Sequence, residues 1–302
     1  MRLSSIFKEM NYTEYELYNE KDFDNMSILL PNRSEQSRCV FLSEKKYIKK
    51  LDDSVKMVIT TDKYSDVILS KKCGVCVVND PRLIFYLIHN FLATKKLYPI
   101  KSFKTQIGND CKIDASAIIP KYDIILGNRV IIEDRVTFLG RVVIGDDCII
   151  HSGSVIGANG NDFKRYGDKL VRTSQVGGIK IGNGVEIDQN CCIERPMFPY
   201  EYTILGDETK IGALSFISHG VQIGSRTQIK GMVNIAGYTT IGNDVFIGPG
   251  TTISNCIFIG DDSFISIGSV VASSILNGKH VTGNFAIEHD KFMKEQLRII
   301  RE

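Results

Sequence analysis

Every sixth residue from Leu205 to Val271 is a large aliphatic: Leu205, Ile211, Ile217, Ile223, Ile229, Ile235, Ile241, Ile247, Ile253, Ile259, Ile265 and Val271. At 43% hydrophobic composition, chance yields such a run in a fixed register roughly four times in 100,000, so the period is a structural constraint. Neither the 3.6-residue period of a helix nor the two-residue alternation of an open strand produces a strict six. A hexapeptide period marks a parallel β-helix. Each hexapeptide is a short strand plus a turn, and three of them close a triangular coil with the aliphatic side chains inside. Coils stack at the strand spacing of about 4.8 Å, so residues eighteen apart should lie one above the other. Glycine follows six members of the series, at Gly206, Gly212, Gly224, Gly242, Gly248 and Gly260. The expectation is that these residues turn the corners at positive φ.

The period extends upstream through Ile107, Ile113 and Ile119, slips by one residue, and resumes from Leu126 to Ile156. It breaks at 158–180, returns at Ile181, Ile187 and Ile193, and breaks again at 194–204. Both breaks read as insertions that loop out of the prism, and loops on a rigid solenoid are where function concentrates. Three regions follow: a small α/β domain over 1–102, the β-helix of roughly nine coils over 103–283, and a short amphipathic C-terminal helix over 284–302. In the first, Met57–Thr61 and Gly74–Val78 read as strands. Pro81 to Leu92 reads as a buried helix with Asp80 as its N-cap.

A net charge of +2 gives no reason to expect nucleic acid or an anionic membrane as partner. The N-terminal twenty residues contain no apolar signal-peptide core, and no run of eighteen apolar residues occurs, so a cytoplasmic protein without stable membrane insertion is expected. Eight cysteines are scattered rather than spaced as a disulfide or zinc framework. The Cys73–Cys76 pair reads as two strand residues, and no metal site is expected. A γ-type carbonic anhydrase would need three histidine ligands, and only His151 and His219 lie in the coils.

His219 is the residue with the clearest chemical promise. It lies two positions after inward-facing Ile217 and follows the second break, and Gly237 stands eighteen residues on. Stacking should set the Gly237 backbone one coil from the imidazole. A base beside a free backbone N–H is an arrangement suited to acyl transfer, the imidazole taking a proton and the N–H receiving the developing oxyanion. His89, within the apolar helix, reads as a packed residue.

His219-Gly-Val-Gln-Ile-Gly and Ile235-Ala-Gly resemble the active-site segments of the left-handed β-helix acyltransferases, above all the UDP-3-O-(3-hydroxyacyl)glucosamine N-acyltransferases of lipid A synthesis. Phe41 to Tyr47, Val77 to Phe85, and the segments His151–Gly160 and Gln175–Gly182 that bracket the first break resemble that family as well. The resemblance implies a mainly β protein, a left-handed parallel β-helix with an N-terminal nucleotide-binding α/β domain. It implies an N-acyltransferase that moves an acyl group from acyl-CoA or acyl-ACP, as co-substrate, to the amine of a nucleotide-linked amino sugar for lipopolysaccharide or other surface-glycan synthesis. It also implies a homotrimer with sites between subunits and no tightly bound cofactor. His219 and Gly237 would be catalytic. Phe41, Glu44, Tyr47, Asn159, Asp162, Phe163, Asn255 and Cys256 would bind substrates, with Phe41 and Tyr47 stacking the base.

Departures accompany the resemblance. Glu44 stands where the family has an asparagine that contacts uracil, and Cys256 stands at its second histidine. Asn159-Gly-Asn-Asp-Phe163 replaces an Asp-Gly-Phe-Gly-Phe run, which points to a shorter or more polar acyl group. The alternative function is a non-catalytic β-helix assembly or nucleotide-sugar-sensing module. A fused nucleotidyltransferase is disfavoured, because the N-terminal region has no glycine-rich phosphate loop.

Overall fold

In the computed structural model of the chain, residues 1–29, 36–283, 288–291, 293, 294 and 298 are described. The N-terminal region is a five-stranded sheet formed by β1 (Glu16–Tyr18), β2 (Asn25–Met26), β3 (Arg38–Leu42), β4 (Val55–Thr60) and β5 (Gly74–Val77), in the order β1-β5-β4-β3-β2. Only the β1–β5 pair is antiparallel. Its helices are α1 (Leu3–Met10), α2 (Asp62–Leu69) and α3 (Pro81–Thr94). The start of α3 is as expected: Pro81 is its first residue, and the Asp80 carboxylate accepts the Leu83 N–H at 3.0 Å.

Strand alternation gives the sheet two apolar faces. Val40, Leu42, Val58 and Val75 pack with Ile48 of the 3-10 helix Lys45–Lys50 and with Ile68 of α2. Cys39, Met57, Ile59 and Cys76 pack with α1, with α3, and with Met197 and Phe198 of the second break.

From Gln106 onward the chain winds into three parallel sheets of seven, eight and nine strands. The eighteen-residue rule holds in register: Ile217 pairs with Ile235 and Ile235 with Ile253. All twelve members of the aliphatic series are buried, none more than 7% exposed. Ile107 is in phase but 51% exposed, because the terminal coil has a neighbour on one side only.

The corner glycines do something other than expected. None of the six that follow the aliphatic series has positive φ; the left-handed positions fall two residues later, at Glu208, Leu214, Gly220, Arg226, Met232, Tyr238, Asp244, Gly250, Cys256, Asp262 and Gly268. The glycines are needed for close approach instead. A Cβ on Gly224 would lie 2.6 Å from the Gly242 carbonyl carbon, and one on Gly206 2.6 Å from the Ser225 nitrogen. Gly224→Ala is therefore expected to lower stability by about 1–3 kcal/mol through overpacking. Gly250→Ala meets no atom within 4 Å and bears only its φ of +69°, a strain of about 1–2 kcal/mol. Urea denaturation of the two variants checks the pair.

A second inward row stands two residues before the aliphatics. Its hydroxyls would be stranded in the core, but they donate to backbone carbonyls, as in Thr209 Oγ1 to Gly224 O at 2.9 Å, Thr227 Oγ1 to Gly242 O at 2.9 Å and Thr239 Oγ1 to Ser254 O at 2.7 Å, all on the next coil. Satisfied in this way, a polar row costs the core little.

The two breaks behave differently. Residues after the strand Val155–Asn159 leave the prism and form a hairpin of Phe163–Tyr166 against Lys169–Arg172, with most side chains exposed. The second break does not loop out. Its Pro-Met-Phe-Pro segment is apolar, and it folds onto the N-terminal sheet with Met197 and Phe198 buried. Phe198 meets the rings of Phe85 and His89 at 5.7 and 4.8 Å. Asn25 Nδ2 donates to Pro199 O at 3.0 Å, and the Tyr200 hydroxyl donates to Pro99 O at 3.0 Å. This loop welds sheet to prism.

His89 is packed, as expected, at 0% exposure. Its Nδ1 accepts from the Tyr98 hydroxyl at 2.6 Å and its Nε2–H donates to Ser174 O at 2.9 Å. Burial pushes this imidazole down from 6.5 to about 4. As pH falls below 6.5 the unfolded chain takes up the proton first, so folding stability is full above that pH and declines toward 4. Between pH 7 and pH 5 the loss is expected to be about 2 kcal/mol. Urea midpoints at the two pH values, with His89→Gln removing the difference, check it.

The expected helix over 284–302 lies largely outside the described residues. Among the described residues, no helix is long and apolar enough to cross a membrane.

Candidate active site

Glu194 opens the second break, one residue after inward-facing Ile193, and its side chain is 6% exposed. One carboxylate oxygen, Oε2, accepts the Ser218 hydroxyl at 2.7 Å, the His219 backbone N–H at 3.2 Å and His219 Nδ1 at 3.1 Å. Burial alone would push the Glu194 carboxyl up, but the hydrogen bonds from His219 and Ser218 outweigh it and hold the group below the usual carboxylate range. The ionised carboxylate only accepts. Nδ1 therefore carries the proton, and the Nε2 lone pair is free to take another.

Nε2 faces Gly237. A Cβ there would lie 2.7 Å from Nε2 and 3.0 Å from Cε1, so only glycine leaves the imidazole edge open. The ladder uses the Gly237 carbonyl, which accepts from Cys256 N at 3.0 Å. The Gly237 N–H donates to nothing among the described residues. Parallel pairing of Phe216, Asn234 and Thr252 places His219, Gly237 and Asn255 in one column. With glycine in the middle, the column contains a gap two strand spacings high, about 10 Å between the backbones of His219 and Asn255. Tyr238 borders it, its ring edge-on to His219 at 5.4 Å and its hydroxyl donating to Glu201 at 2.8 Å. Glu201 in turn accepts from Ser27 of the N-terminal sheet region at 3.1 Å.

The other expected site residues divide into two groups. Phe41 lies on the α3 face of its sheet, 5.0 Å from Phe85 and 5.9 Å from Tyr86. Above Tyr86 sits the Lys164 ammonium at 4.6 Å, which is paired with Asp162. Phe41 and Asp162 thus flank one tyrosine. Asn159 accepts from Arg195 Nε and Nη2 at 3.1 and 2.7 Å, and the Phe163 ring carries the Arg172 guanidinium at 4.5 Å. Tyr47 belongs to the other sheet face and lies beneath Lys46 and Lys50, and Glu44 is exposed and paired with Lys46 at 2.8 Å. Phe41 and Tyr47 are therefore in different apolar clusters. Cys256 is exposed, with the Asn255 amide 3.6 Å from its sulfur.

His151 stands apart with Glu133 at 2.9 Å, Glu186 at 3.1 Å and Asp188 at 3.9 Å. Burial would lower this imidazole, but hydrogen bonds to Glu186 and Glu133 raise it on balance. His151, Glu186 and Asp188 are also the one group of metal-ligand type among the described residues. Glu194, Ser218, Tyr238 and Glu201 were absent from the expected site. A carboxylate at the first residue of a break, next to an inward isoleucine, was the only signal available for any of them.

Residues 123–158 match the bacterial transferase hexapeptide (six repeats), and residues 238–273 match the hexapeptide repeat of succinyl-transferase. The prism is a left-handed hexapeptide-repeat β-helix. The chain is similar to the UDP-3-O-acylglucosamine N-acyltransferase of Coxiella burnetii, 31% identical over 213 residues that cover 61% of this chain and 60% of that protein. It is also similar to the enzyme of the same name from a Janthinobacterium species, 34% identical over 167 residues, covering 55% of this chain and 47% of the relative. The match thus spans about three fifths of the length of the first of these relatives or less. Among solved structures, the Arabidopsis UDP-N-acetylglucosamine acyltransferase shares the fold, with a TM-score of 0.54 at 22% identity over 64% of this chain and 67% of that one.

Proposed function

We propose that the chain is an N-acyltransferase that moves an acyl group from a phosphopantetheine thioester, on coenzyme A or an acyl carrier protein, to the amine of a nucleotide-linked amino sugar. The observation that carries this reading is the column of His219, Gly237 and Asn255 with buried Glu194 behind the imidazole. The acceptor amine attacks the thioester carbonyl while His219 Nε2 takes its proton. The Gly237 N–H stabilises the oxyanion of the tetrahedral intermediate. The C–S bond then breaks, and the imidazolium returns the proton to the leaving thiolate. Similarity to relatives named as UDP-3-O-acylglucosamine N-acyltransferases supports the donor and acceptor classes.

The acyl group is short or polar in this reading. Asn159, Asn161 and Asp162 support this, because the family resembled has an apolar aromatic in this segment and a long hydrocarbon needs apolar walls, each buried methylene being worth about 0.8 kcal/mol. The nucleotide lies over the N-terminal domain in the same reading, against Phe41. The assembly is a cytoplasmic homotrimer, supported by apolar side chains such as Leu214 and Met232, which stand exposed in one column of the prism surface.

The test is mass spectrometry of UDP-, dTDP- and GDP-amino sugars incubated with acetyl- through myristoyl-thioesters on both carriers. N-acylation with the short donors is expected. No transfer from any donor to any nucleotide amino sugar favours the non-catalytic binding module instead. Efficiency that rises steadily with chain length overturns the short-donor part.

A further inference from the structure

Beside the His219–Glu194 dyad, between α3 and the inner end of the 158–180 excursion, lies a cavity of about 480 Å³. Two of its ten lining residues are arginines, Arg172 and Arg195, and none is acidic. Neither guanidinium has a carboxylate partner among the described residues. Arg195 is held by the neutral Asn159 oxygen and lies over Gly140, where φ is +73° and any side chain would strike it. Arg172 donates to Gly160 O at 3.1 Å and rests on Phe163. Both forks are therefore fixed in place while their charge remains uncompensated. Burial also pushes the Arg195 guanidinium down, which is the cost of holding a cation there without an anion.

The same cavity is lined by polar groups with nothing to bond. Among the described residues, Gln175 is 5% exposed with no partner for its amide oxygen or nitrogen, and Thr173 is 1% exposed with none for its hydroxyl. Buried polar atoms are normally paired, and exceptions call for a ligand or water. A hydroxyl and an amide N–H are donors, as guanidinium is, so the set fits an oxyanion with several acceptor lone pairs. The cavity also adjoins the dyad. A Cβ on Gly160 would sit 3.0 Å from Gln175 Nε2, 3.2 Å from Glu194 Oε2 and 3.2 Å from His219 Nδ1.

We infer that this cavity binds a phosphate group of a ligand of the His219 site, gripped by Arg172 and Arg195 with Gln175 and Thr173 completing the donor set. Recognition of a phosphorylated ligand follows from this cavity alone. The source of the phosphate, acceptor diphosphate or donor phosphopantetheine, rests on the proposed acyl transfer.

Calorimetry with inorganic pyrophosphate, UDP-N-acetylglucosamine and coenzyme A on the wild type, Arg172→Gln and Arg195→Gln tests it without any requirement for turnover. Pyrophosphate should bind the wild type and weaken about tenfold or more in each variant, since each loses a charge-assisted hydrogen bond. A matching loss for the UDP-sugar assigns the acceptor's phosphate, and one for coenzyme A assigns the donor's. The inference is overturned if pyrophosphate fails to bind or binds all three proteins alike. It is equally overturned if the variants lose pyrophosphate but keep both nucleotides unchanged, which marks an adventitious anion site. Should Arg195→Gln not fold, Arg172→Gln decides alone, because Arg172 lies on an exposed strand.

Discussion

His219→Ala is expected to lower the kcat of acyl transfer by about 10²–10⁴-fold while nucleotide-sugar affinity stays nearly unchanged. The reason is geometric. The imidazole is the group that projects into the gap over Gly237 with an unprotonated nitrogen, because the proton on Nδ1 is held by a hydrogen bond to Glu194 Oε2 on the other side. Removing it leaves the Gly237 N–H in place, so the residual rate should reflect oxyanion stabilisation and binding alone. Truncation should not unfold the protein, since the aliphatic on this strand, Ile217, is what fills the core. Steady-state kinetics beside calorimetry of the nucleotide sugar check the split. A variant retaining more than a tenth of the wild-type kcat would remove His219 from the role of base.

The period of six made the prism legible because a β-helix repeats one environment. The same inward pocket recurs in each coil, so an aliphatic is demanded at Leu205, Ile211 and every sixth position after them, and the register of His219 on Gly237 follows from counting. What could not be counted was the content of the breaks. Glu194 enters the site because the 194–204 segment folds inward under Met197 and Phe198, and a tertiary contact of that kind leaves no periodic trace. The corner glycines were identified by position but misread in cause: Gly206 and Gly224 are crowded by the next coil, whereas asparagine, aspartate and even Leu214 and Met232 take up the left-handed turns. Periodicity reports which positions are special, while only the stacked coils reveal which constraint makes them so. In the N-terminal region it was the family resemblance, not a pattern in the residues, that put Phe41 and Tyr47 on one base; Phe41 is in a strand and Tyr47 in the 3-10 helix that follows, and they pack against different apolar clusters.

Glu194→Gln is expected to lower kcat by about 10–10³-fold with KM little changed. The substitution is nearly isosteric, and the Ser218 hydroxyl and the His219 backbone N–H both demand an acceptor at the Oε2 position. The amide therefore orients with its oxygen there, the Nδ1–H still finds a partner, and the imidazole keeps its place. Only the negative charge is lost. A buried carboxylate stabilises the imidazolium it touches, and that stabilisation is needed as the proton arrives from the amine. Losing it should weaken the base while nucleotide-sugar affinity and the urea midpoint stay near their wild-type values. Glu194→Asp separates charge from packing, since it keeps the charge but withdraws it by one methylene: it should retain more of the wild-type kcat than Glu194→Gln. If Glu194→Gln loses activity together with stability and Glu194→Asp does no better, Glu194 acts through the fold of the 194–204 segment and not through the charge it presents to His219.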